Sequence, residues 1–353
     1  MTQHTNRKDE HVELAEAFYH ERRADHFDAI KFVHHSFPTV NKENVSLATR
    51  FADMDFPFPF FINGMTGGSD KTYKINQDLA TVARETGLAI ASGSVSAGIK
   101  HPETAPSFEI IRQTNPNGKI FANLGPEHPI ENYQRAVDIL KADALQIHVN
   151  APQELVMPEG ERIFDTWLNN IEKTVQTIGV PVIVKEVGFG MSKETIQRLS
   201  QAGVKTIDVS GNGGTNFLKI ENARREHQEF AFAEDWGQST AISLLEGYAI
   251  HQDINLIASG GIRNPYDIVK SLALGAKAVG LSGHFLHLVL NEGVDETIAE
   301  VERWKNTIQT LMTLLSADTV TSLTSSDIVL MDPLKTWCEA RQIDWQSFAN
   351  RYH

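Results

Sequence analysis

Short apolar runs alternate with helical patterns along most of this chain of 353 residues. From about residue 58 onward, each aliphatic run is followed by a turn rich in glycine, serine or asparagine and, in most cases, by apolar residues at helical spacing. Eight strands are predicted, namely Phe58–Asn63, Leu88–Ser92, Lys119–Leu124, Ala144–Val149, Val180–Glu186, Thr206–Ser210, Asn255–Ser259 and Ala276–Ser282. Eight strands that alternate with helices over roughly 230 residues predict an α/β fold of the (β/α)8 or TIM-barrel type.

An open, doubly wound sheet is the alternative fold for such an alternating pattern. A sheet of that kind carries a glycine-rich dinucleotide-binding turn after its first strand, and the turn Gly64-Met65-Thr66-Gly67-Gly68 lacks the required spacing. The barrel is therefore the favoured prediction, and we assign it to residues 51–294.

Two further regions flank the predicted barrel. Residues 1–50 are predicted to form an N-terminal arm with a short amphipathic helix over Asp9–Phe18. Residues 295–353 are predicted to form a C-terminal helical extension packed on the barrel. Its helices are a long amphipathic one from Ile298 to Leu315 and two further segments, Ser325–Met331 and Asp332–Arg341.

Composition narrows the class of protein. The net charge of −13 argues against nonspecific nucleic-acid binding, which depends on a basic face. A single cysteine, Cys338, excludes an intrachain disulfide framework and a thiolate metal cluster. No apolar run is long enough to span a bilayer, and the polar start of the chain lacks a signal-like core. We therefore expect a cytoplasmic protein that binds neither nucleic acid nor membranes.

Polar or glycine-rich residues follow every predicted strand, and the carboxyl ends of barrel strands meet at one rim, where barrel enzymes place their active sites. Ser259-Gly260-Gly261 and Ser282-Gly283 follow strands seven and eight, the usual phosphate position of such barrels. Glycines there allow backbone N–H groups to approach an anion closely. Tight turns without a ligand are the alternative interpretation.

A lysine, Lys185, ends the fifth predicted strand and points toward the barrel mouth. It suits either a Schiff-base nucleophile or a fixed positive charge beside a cofactor. The phosphate turns, together with Met65–Gly68 and Asn123, indicate a phosphorylated cofactor that lies across the rim. FMN fits this arrangement better than pyridoxal phosphate, because so many strand ends contribute contacts.

The segment Gln146–Glu154 leads from an apolar strand into a short polar loop. Strand alternation sends Gln146, His148 and Asn150 to one face. Because buried polar groups require partners, the pattern fits either a hydrogen-bonded barrel layer or a functional cluster.

One connection, from Asn212 to Gly237, is unusually long for the loop between a strand and its helix. A lid over the active face and a plain surface insertion both remain open for it.

Several stretches carry a more specific signal than the barrel pattern. They are Arg7-Lys8 with His11, Met65–Gly68, Gly93-Ser94, Ala122-Asn123, Gln146–Asn150 with Gln153-Glu154, Val184–Gly190, Asp208–Gly211 with Gly213–Thr215, Asp235–Gly237 and Ala258–Gly261. In this order they resemble the flavin-dependent (type 2) isopentenyl-diphosphate delta-isomerases. The chain departs from that pattern at Ser96, where many relatives have an arginine.

The resemblance implies a cofactor, a metal ion and a substrate. FMN would contact Met65, Thr66, Gly67, Ser94, Asn123, Lys185, Ser210, Thr215, Gly260, Gly261, Arg263, Ser282 and Gly283. The substrate would contact Arg7, Lys8, His148, Asn150 and Gln153, with the arm folded over the barrel mouth, and Glu154 would bind Mg²⁺. The family converts isopentenyl diphosphate to dimethylallyl diphosphate in isoprenoid biosynthesis, using FMN that NADPH is expected to reduce. Relatives form homotetramers or homo-octamers, and we expect such a homo-oligomer here.

The residue types agree with this chemistry. The double bond moves when a proton is added at one carbon and removed from another, and the chain offers His148 and Gln153 but no obvious carboxylate pair for these transfers. Our hypothesis is that reduced FMN, through N5, is the acid and base, as proposed for the family. His148 and Gln153 would orient substrate and flavin, while Lys185 would stabilise the anionic reduced flavin. A lone carboxylate, Glu154, suits Mg²⁺, which takes its other ligands from water and phosphate oxygens.

Three rival functions are weaker. FMN-dependent 2-hydroxy-acid oxidases or dehydrogenases resemble the chain around Ser210–Thr215, but Asn212 and Thr215 stand where those enzymes have a histidine base and an arginine. Inosine-monophosphate-dehydrogenase-like enzymes need a cysteine nucleophile after strand six, whereas Cys338 lies in the tail. A non-catalytic flavin-binding or scaffold protein would leave the Arg7-Lys8 and Gln153-Glu154 pairs incidental.

Overall fold

Eight parallel strands form a closed barrel at the centre of the protein. The computed structural model describes residues 3–20, 25–250 and 253–351. In chain order the strands are β1 Ile30–Phe32, β2 Thr49–Phe51, β3 Met54–Phe56, β4 Phe60–Ile62, β5 Ile90–Ala91, β6 Ile120–Leu124, β7 Ala144–His148, β8 Val182–Lys185, β9 Thr206–Asp208, β10 Asn255–Ser259, β11 Ala278–Leu281 and β12 Ile328–Leu330. The helices are α1 Gln3–Ala17, α2 Asp70–Thr86, α3 Ser96–Lys100, α4 Pro106–Thr114, α5 Ile130–Leu140, α6 Ala151–Val156, α7 Trp167–Thr177, α8 Lys193–Gln201, α9 Phe217–Ala223, α10 Thr240–Tyr248, α11 Pro265–Ala273, α12 Gly283–Asn291, α13 Gly293–Leu314 and α14 Leu334–Arg341.

The predicted barrel is confirmed, with its strands in sequence order. Strands β4 to β11 pair with their neighbours in parallel, and β11 closes the barrel against β4. The observed strands are mostly shorter than the predicted ones, because the polar residues at their carboxyl ends leave the sheet to form the turns of the rim. In the described part of the chain, none of the helices combines the length and the hydropathy that a bilayer-spanning segment requires.

The amino-terminal end of the barrel is closed by aromatic side chains. The hairpin of β2 and β3 brings Phe51 and Phe56 against the inward-facing Phe61 and Phe121. The rings of Phe51 and Phe56 stack at 4.0 Å between centroids, and those of Phe61 and Phe121 meet edge to face at 5.6 Å. All four side chains are buried, so this end of the barrel is a packed apolar core.

The opposite half of the barrel interior is polar, and its side chains hydrogen-bond across the barrel. Asn123 Nδ2 donates to Gln146 Oε1 (3.2 Å), and Gln146 Nε2 donates to Asn63 Oδ1 (3.0 Å). Asn63 Nδ2 in turn donates to Asp208 Oδ2 (2.9 Å), whose other oxygen accepts from Ser259 Oγ (2.6 Å). This polar layer satisfies buried groups from five strand ends and forms the floor of the cavity above it.

The C-terminal extension corrects one prediction. The segment Ser325–Met331, predicted to be helical, instead contains a 3-10 turn that ends at Ser325 and the strand β12. Strand β12 pairs antiparallel with β1, with Ile30 opposite Leu330. Its buried, exposed, buried alternation has the period of a strand, and pairing with a distant segment outweighed the local helical tendency.

The remaining predicted helices are present. The N-terminal helix α1 begins earlier than Asp9, while α13 covers the long amphipathic pattern and packs on α2 and α11. Helix α14 is tied to the barrel through Glu246 of α10, which accepts from Trp337 Nε1 and Arg341 Nε (2.8 Å each). The division of the chain at residues 50 and 294 stays a prediction.

The aromatic closure yields a test of what stabilises the barrel. We expect Phe121→Ala to lower the free energy of unfolding by about 3–5 kcal/mol, because it leaves a cavity in a fully buried cluster. Urea unfolding followed by circular dichroism measures the change. Phe232, which is 82% exposed, is the matched control, and Phe232→Ala should change stability by less than about 0.5 kcal/mol. Equal effects of the two substitutions would contradict a packed aromatic closure.

Candidate active site

The carboxyl ends of the barrel strands surround one cavity of about 370 Å³. Its wall includes residues from the loops after the barrel strands, together with α1 and α9. Most of the predicted site residues line it: Lys8, Met65, Ser94, Asn123, His148, Asn150, Gln153, Glu154, Lys185, Ser210, Thr215, Gly260, Gly261, Arg263, Ser282 and Gly283. The fold thus brings residues scattered from position 8 to position 283 to one place.

Three of the predicted site residues are not among those that line the cavity. Thr66 is buried behind the wall, where its carbonyl accepts from Gly93 N (3.2 Å), and it does not line the cavity. Gly67 does not line the cavity either, because it faces the ring of Phe108, which a Cβ at this position would meet at 2.0 Å. Arg7 belongs to α1, but its side chain lies outside the described part of the structure.

Helix α1 is held against the cavity by contacts along its length. In the middle of α1, Asp9 accepts from Ser69 Oγ (2.6 Å), which lies at the beginning of α2. Glu16 pairs with His287 of α12 (2.6 Å), and Tyr19, just after the helix, hydrogen-bonds His284 (3.0 Å). These contacts place Lys8 and His11 in the cavity wall.

The turns after β10 and β11 form a cradle that needs glycine. Gly260 has a φ of +88°, and a Cβ there would lie 2.0 Å from the carbonyl oxygen of Gly211. At Gly283, where α12 begins, a Cβ would lie 3.3 Å from Thr215 Oγ1. Arg263 Nη2 donates to Gly213 O (3.0 Å) beside these turns. Backbone N–H groups, a helix N-terminus and a guanidinium at one corner of a cavity suit the phosphate of a cofactor such as FMN.

Lys185 lies at the base of the cavity and is almost completely buried. Its Nζ donates to the carbonyl of Glu186. Burial lowers the pKa of Lys185, while the nearby carboxylates of Asp208 and Glu186 oppose that change. A buried ammonium group at the base of the cavity is suited to stabilise negative charge on a flavin bound there.

His148 is neutral at physiological pH. Its Nδ1 lies 2.7 Å from Asn123 Oδ1, and because that oxygen can only accept, Nδ1 carries the proton and Nε2 does not. Burial, aided by the positive charges of Lys185 and Lys8 and opposed by Glu127, lowers the pKa of His148 to about 4. The polar layer therefore sets the tautomer of this side chain through Asn123.

Gln153 is oriented by a buried carboxylate, Glu221 of α9. Gln153 Nε2 donates to Glu221 Oε1 (2.9 Å), and its own Oε1 accepts from Asn150 Nδ2 (3.2 Å). His11 Nε2 lies 3.1 Å from Glu221 Oε1, and Arg224 Nη1 donates to Glu221 Oε2 (2.6 Å). Burial alone would raise the pKa of Glu221, but these partners outweigh it and lower the pKa to about 2. Glu221 is thus a fixed anion that holds α1, α6 and α9 together.

Glu154 offers one carboxylate to the cavity. Its Oε1 accepts from Asn150 Nδ2 (2.9 Å), and its Oε2 accepts from Glu161 N (2.7 Å). The described residues contain no group of three or more His, Cys, Asp or Glu side chains that could hold a metal ion by themselves. A hard cation at Glu154 would therefore take most of its ligands from water and from a bound anion, which is the coordination that Mg²⁺ accepts.

Sequence reasoning missed two carboxylates of the site: Glu127, which lines the cavity, and Glu221, which holds the cavity residue Gln153. Glu127 follows β6 and pairs with His128 Nε2 (3.1 Å). Although burial would raise its pKa, the hydrogen bond and charge of His128 lower the pKa of Glu127 to about 2. Glu127 sits in a Gly-Pro-Glu turn directly after a strand, and this position is a sequence signal for a residue of the barrel rim. Glu221 lies in the long connection and carries no comparable signal.

Known proteins resemble this chain in both sequence and fold. A sequence model described as FMN-dependent dehydrogenase matches residues 132–330. A protein named isopentenyl-diphosphate delta-isomerase from Staphylococcus haemolyticus is 52% identical over 342 residues, which cover 97% of this chain and 98% of that protein. Its namesake from Staphylococcus aureus strain Newman is 50% identical with the same coverage.

The similar solved structures are flavoenzymes with little sequence identity. A mandelate oxidase variant with a monooxide FMN adduct matches with a TM-score of 0.63 and 16% identity, covering 91% of this chain and 92% of that chain. A flavocytochrome b2 variant matches with a TM-score of 0.65 and 18% identity, covering 95% and 81%. At these identities the likeness shows the fold alone.

The neutral state of His148 can be tested directly. In protein labelled with ¹⁵N-histidine, we expect its NMR signal to stay unchanged from about pH 8 to about pH 5 and to move only near pH 4. The same shift lowers the stability of the folded state as the pH falls from 6.5 towards 4, since the unfolded chain then binds the proton more readily. Loss of the signal in His148→Gln assigns it. A midpoint near 6.5 would contradict burial as the controlling influence.

Proposed function

This chain belongs to the family of FMN-dependent (type 2) isopentenyl-diphosphate delta-isomerases, and we propose that it converts isopentenyl diphosphate to dimethylallyl diphosphate. The observation that carries the proposal is the position of the loop His148–Glu154, which faces the glycine turns after β10 and β11 across a single cavity. A cofactor bound at these turns and a substrate bound at this loop would therefore meet in one cavity. Relatives named for this activity, with about half of their residues identical, support the same conclusion.

The chain's own residues would hold the cofactor. The turns at Gly260-Gly261 and Ser282-Gly283, with Arg263, would bind its phosphate, and Lys185 would balance negative charge on the ring. When bound in its reduced state, FMN supplies at N5 the group that we propose as acid and base. The described carboxylates that line the cavity support this assignment, because each of them is engaged by another group. Glu127 pairs with His128, Glu154 accepts from Asn150, Glu159 pairs with Arg224, and Glu161 accepts from the backbone N–H groups of Arg162 and Ile163.

Binding and orientation of the substrate would fall to the loop after β7 and to α1. Neutral His148 and the amide of Gln153 would position the alkene, and the Glu221 carboxylate would keep the Gln153 amide in one orientation. Lys8 and Asn150 would bind the diphosphate, and Glu154 would hold Mg²⁺ against its oxygens. In a protein of net charge −13, such local cations are needed to hold an anionic substrate.

The hydroxy-acid oxidase alternative is disfavoured by the residues after β9. Asn212 Nδ2 donates to Trp236 O (3.1 Å), and Thr215 lines the cavity. Neither side chain can take a proton from a hydroxy acid as a histidine does or bind a carboxylate as an arginine does. The shared barrel therefore carries no argument for oxidase activity.

An activity assay tests the proposal as a whole. With FMN, NADPH as reductant and Mg²⁺, the purified protein should be yellow when oxidised and should form dimethylallyl diphosphate from isopentenyl diphosphate, as followed by ¹H NMR. Chelating Mg²⁺ should abolish turnover, and Glu154→Gln should raise the Mg²⁺ concentration required by at least about tenfold.

Glu172→Gln, on the exposed face of α7, controls for the loss of one carboxylate and should leave the Mg²⁺ requirement unchanged. Reduction of the bound flavin by lactate, with no isomerisation, would overturn the proposed function in favour of the oxidase alternative. A protein that cannot be reconstituted with FMN would overturn it altogether.

The substitution Gln153→Ala tests whether Gln153 orients the substrate without taking part in cofactor binding. We expect kcat to fall by about 100-fold, because the alkene loses an aligned amide, while the flavin absorption spectrum and the affinity for FMN stay unchanged. Gln134→Ala, on the exposed face of α5, is the matched control. Full turnover by Gln153→Ala with reduced FMN bound would show that this residue has no part in the reaction.

A further inference from the structure

The cavity wall carries charges of both signs, and only part of its positive charge is available to a substrate. Its carboxylates are Glu127, Glu154, Glu159 and Glu161, and its described cations are Lys8, Lys100, Lys185, Lys219 and Arg263. A bound diphosphate adds several negative charges to the cavity. Its binding therefore requires cations that are not already committed to other partners.

At least three of these cations, Lys185, Arg263 and Lys219, are engaged by other groups of the protein. Lys185 is buried at the base and donates to the carbonyl of Glu186. Arg263 donates to Gly213 O beside the glycine turns, at the end of the cavity assigned to the cofactor phosphate. Lys219 lies 3.9 Å from a carboxylate oxygen of Glu234 and 4.4 Å from the centre of the Phe18 ring.

Lys100 differs from these three cations in its surroundings. It is the last residue of α3 and shares a helix face with Ser96, one turn earlier, and both line the cavity while Ala97, Gly98 and Ile99 are buried in the wall. The Lys100 side chain is exposed, and among the described residues no hydrogen bond, ion pair or ring contact engages it. Its ammonium group can therefore bind an anion without first breaking another contact.

Lys100 and Lys8 flank the same side of the cavity. The point that a Cβ on Gly68 would occupy lies 2.9 Å from the Cβ of Ala97 and 3.9 Å from the Cγ of Lys8. Helix α1 therefore brings the Lys8 stem next to α3, at the glycine that precedes α2. Two lysines from separate elements, one on α1 and one on α3, consequently border one part of the wall.

We propose that Lys100 is a further substrate-binding residue, which acts with Lys8 on the diphosphate of the substrate. The inference rests on the proposed function, since it names the group that Lys100 binds. An exposed ammonium group at the rim contacts the diphosphate and not the reacting carbons, so it stabilises the bound substrate and the transition state equally. Its loss should raise KM and leave kcat nearly unchanged.

The test measures binding and turnover in the FMN-loaded protein. For Lys100→Met we expect the Kd of inorganic diphosphate with Mg²⁺, measured by titration calorimetry, to rise about tenfold, as expected for one lost hydrogen bond between charged groups. KM for isopentenyl diphosphate should rise by the same factor and depend less steeply on salt, with kcat and the flavin spectrum unchanged. Lys100→Arg should restore most of the affinity, because it retains the charge.

Lys173→Met, which removes a lysine from the exposed face of α7, controls for the change in net charge. An equal effect of Lys173→Met and Lys100→Met would overturn the proposed role of Lys100, and so would a fall in kcat at unchanged KM for Lys100→Met. Either result would leave the proposed function of the protein standing. If the unaltered protein neither binds inorganic diphosphate nor isomerises the substrate, the proposed function fails, and this inference fails with it.

Discussion

The orientation of the His148 side chain in the site depends on one buried chain of hydrogen bonds across the barrel. It runs from Ser259 through Asp208, Asn63, Gln146 and Asn123 to His148. Buried amides and carboxylates are costly when they lack partners, so each member restricts the rotamer of the next. The proton on His148 Nδ1, and hence the bare Nε2, follows from contacts that begin on the far side of the barrel.

This polar layer divides the barrel into two halves that have different functions. Below it, the Phe51, Phe56, Phe61 and Phe121 cluster supplies apolar burial and stability. Above it, the turns are shaped by close backbone approach, as at Gly260, where any side chain would meet the carbonyl of Gly211. Stability and chemistry are thus assigned to opposite ends of the same strands, which is why loops at the mouth can differ between enzymes without loss of the fold.

Local patterns were sufficient for the barrel but not for the whole site. The eight strands could be predicted because each carries its own apolar run, and the rim residues could be predicted because parallel strands all end at one face. Strand β12 was missed because it exists only through pairing with β1, some 300 residues earlier in the chain. Glu221 was missed for a similar reason, since its partners His11 and Gln153 lie far away in the sequence.

The position of Glu221 also argues against a plain surface insertion as the interpretation of the long connection from Asn212 to Gly237. If the connection were a plain surface insertion, the cavity wall would be complete without its residues. Instead, helix α9 of this connection contributes Phe217, Lys219 and Ile220 to the wall. Glu221 then joins α9 to Gln153 and to His11 of α1. The connection is therefore a structural part of the site. The barrel itself has the same fold as mandelate oxidase and flavocytochrome b2. A chemistry specific to this chain must therefore come from the elements that surround the barrel mouth, which are α1, the loop after β7 and α9.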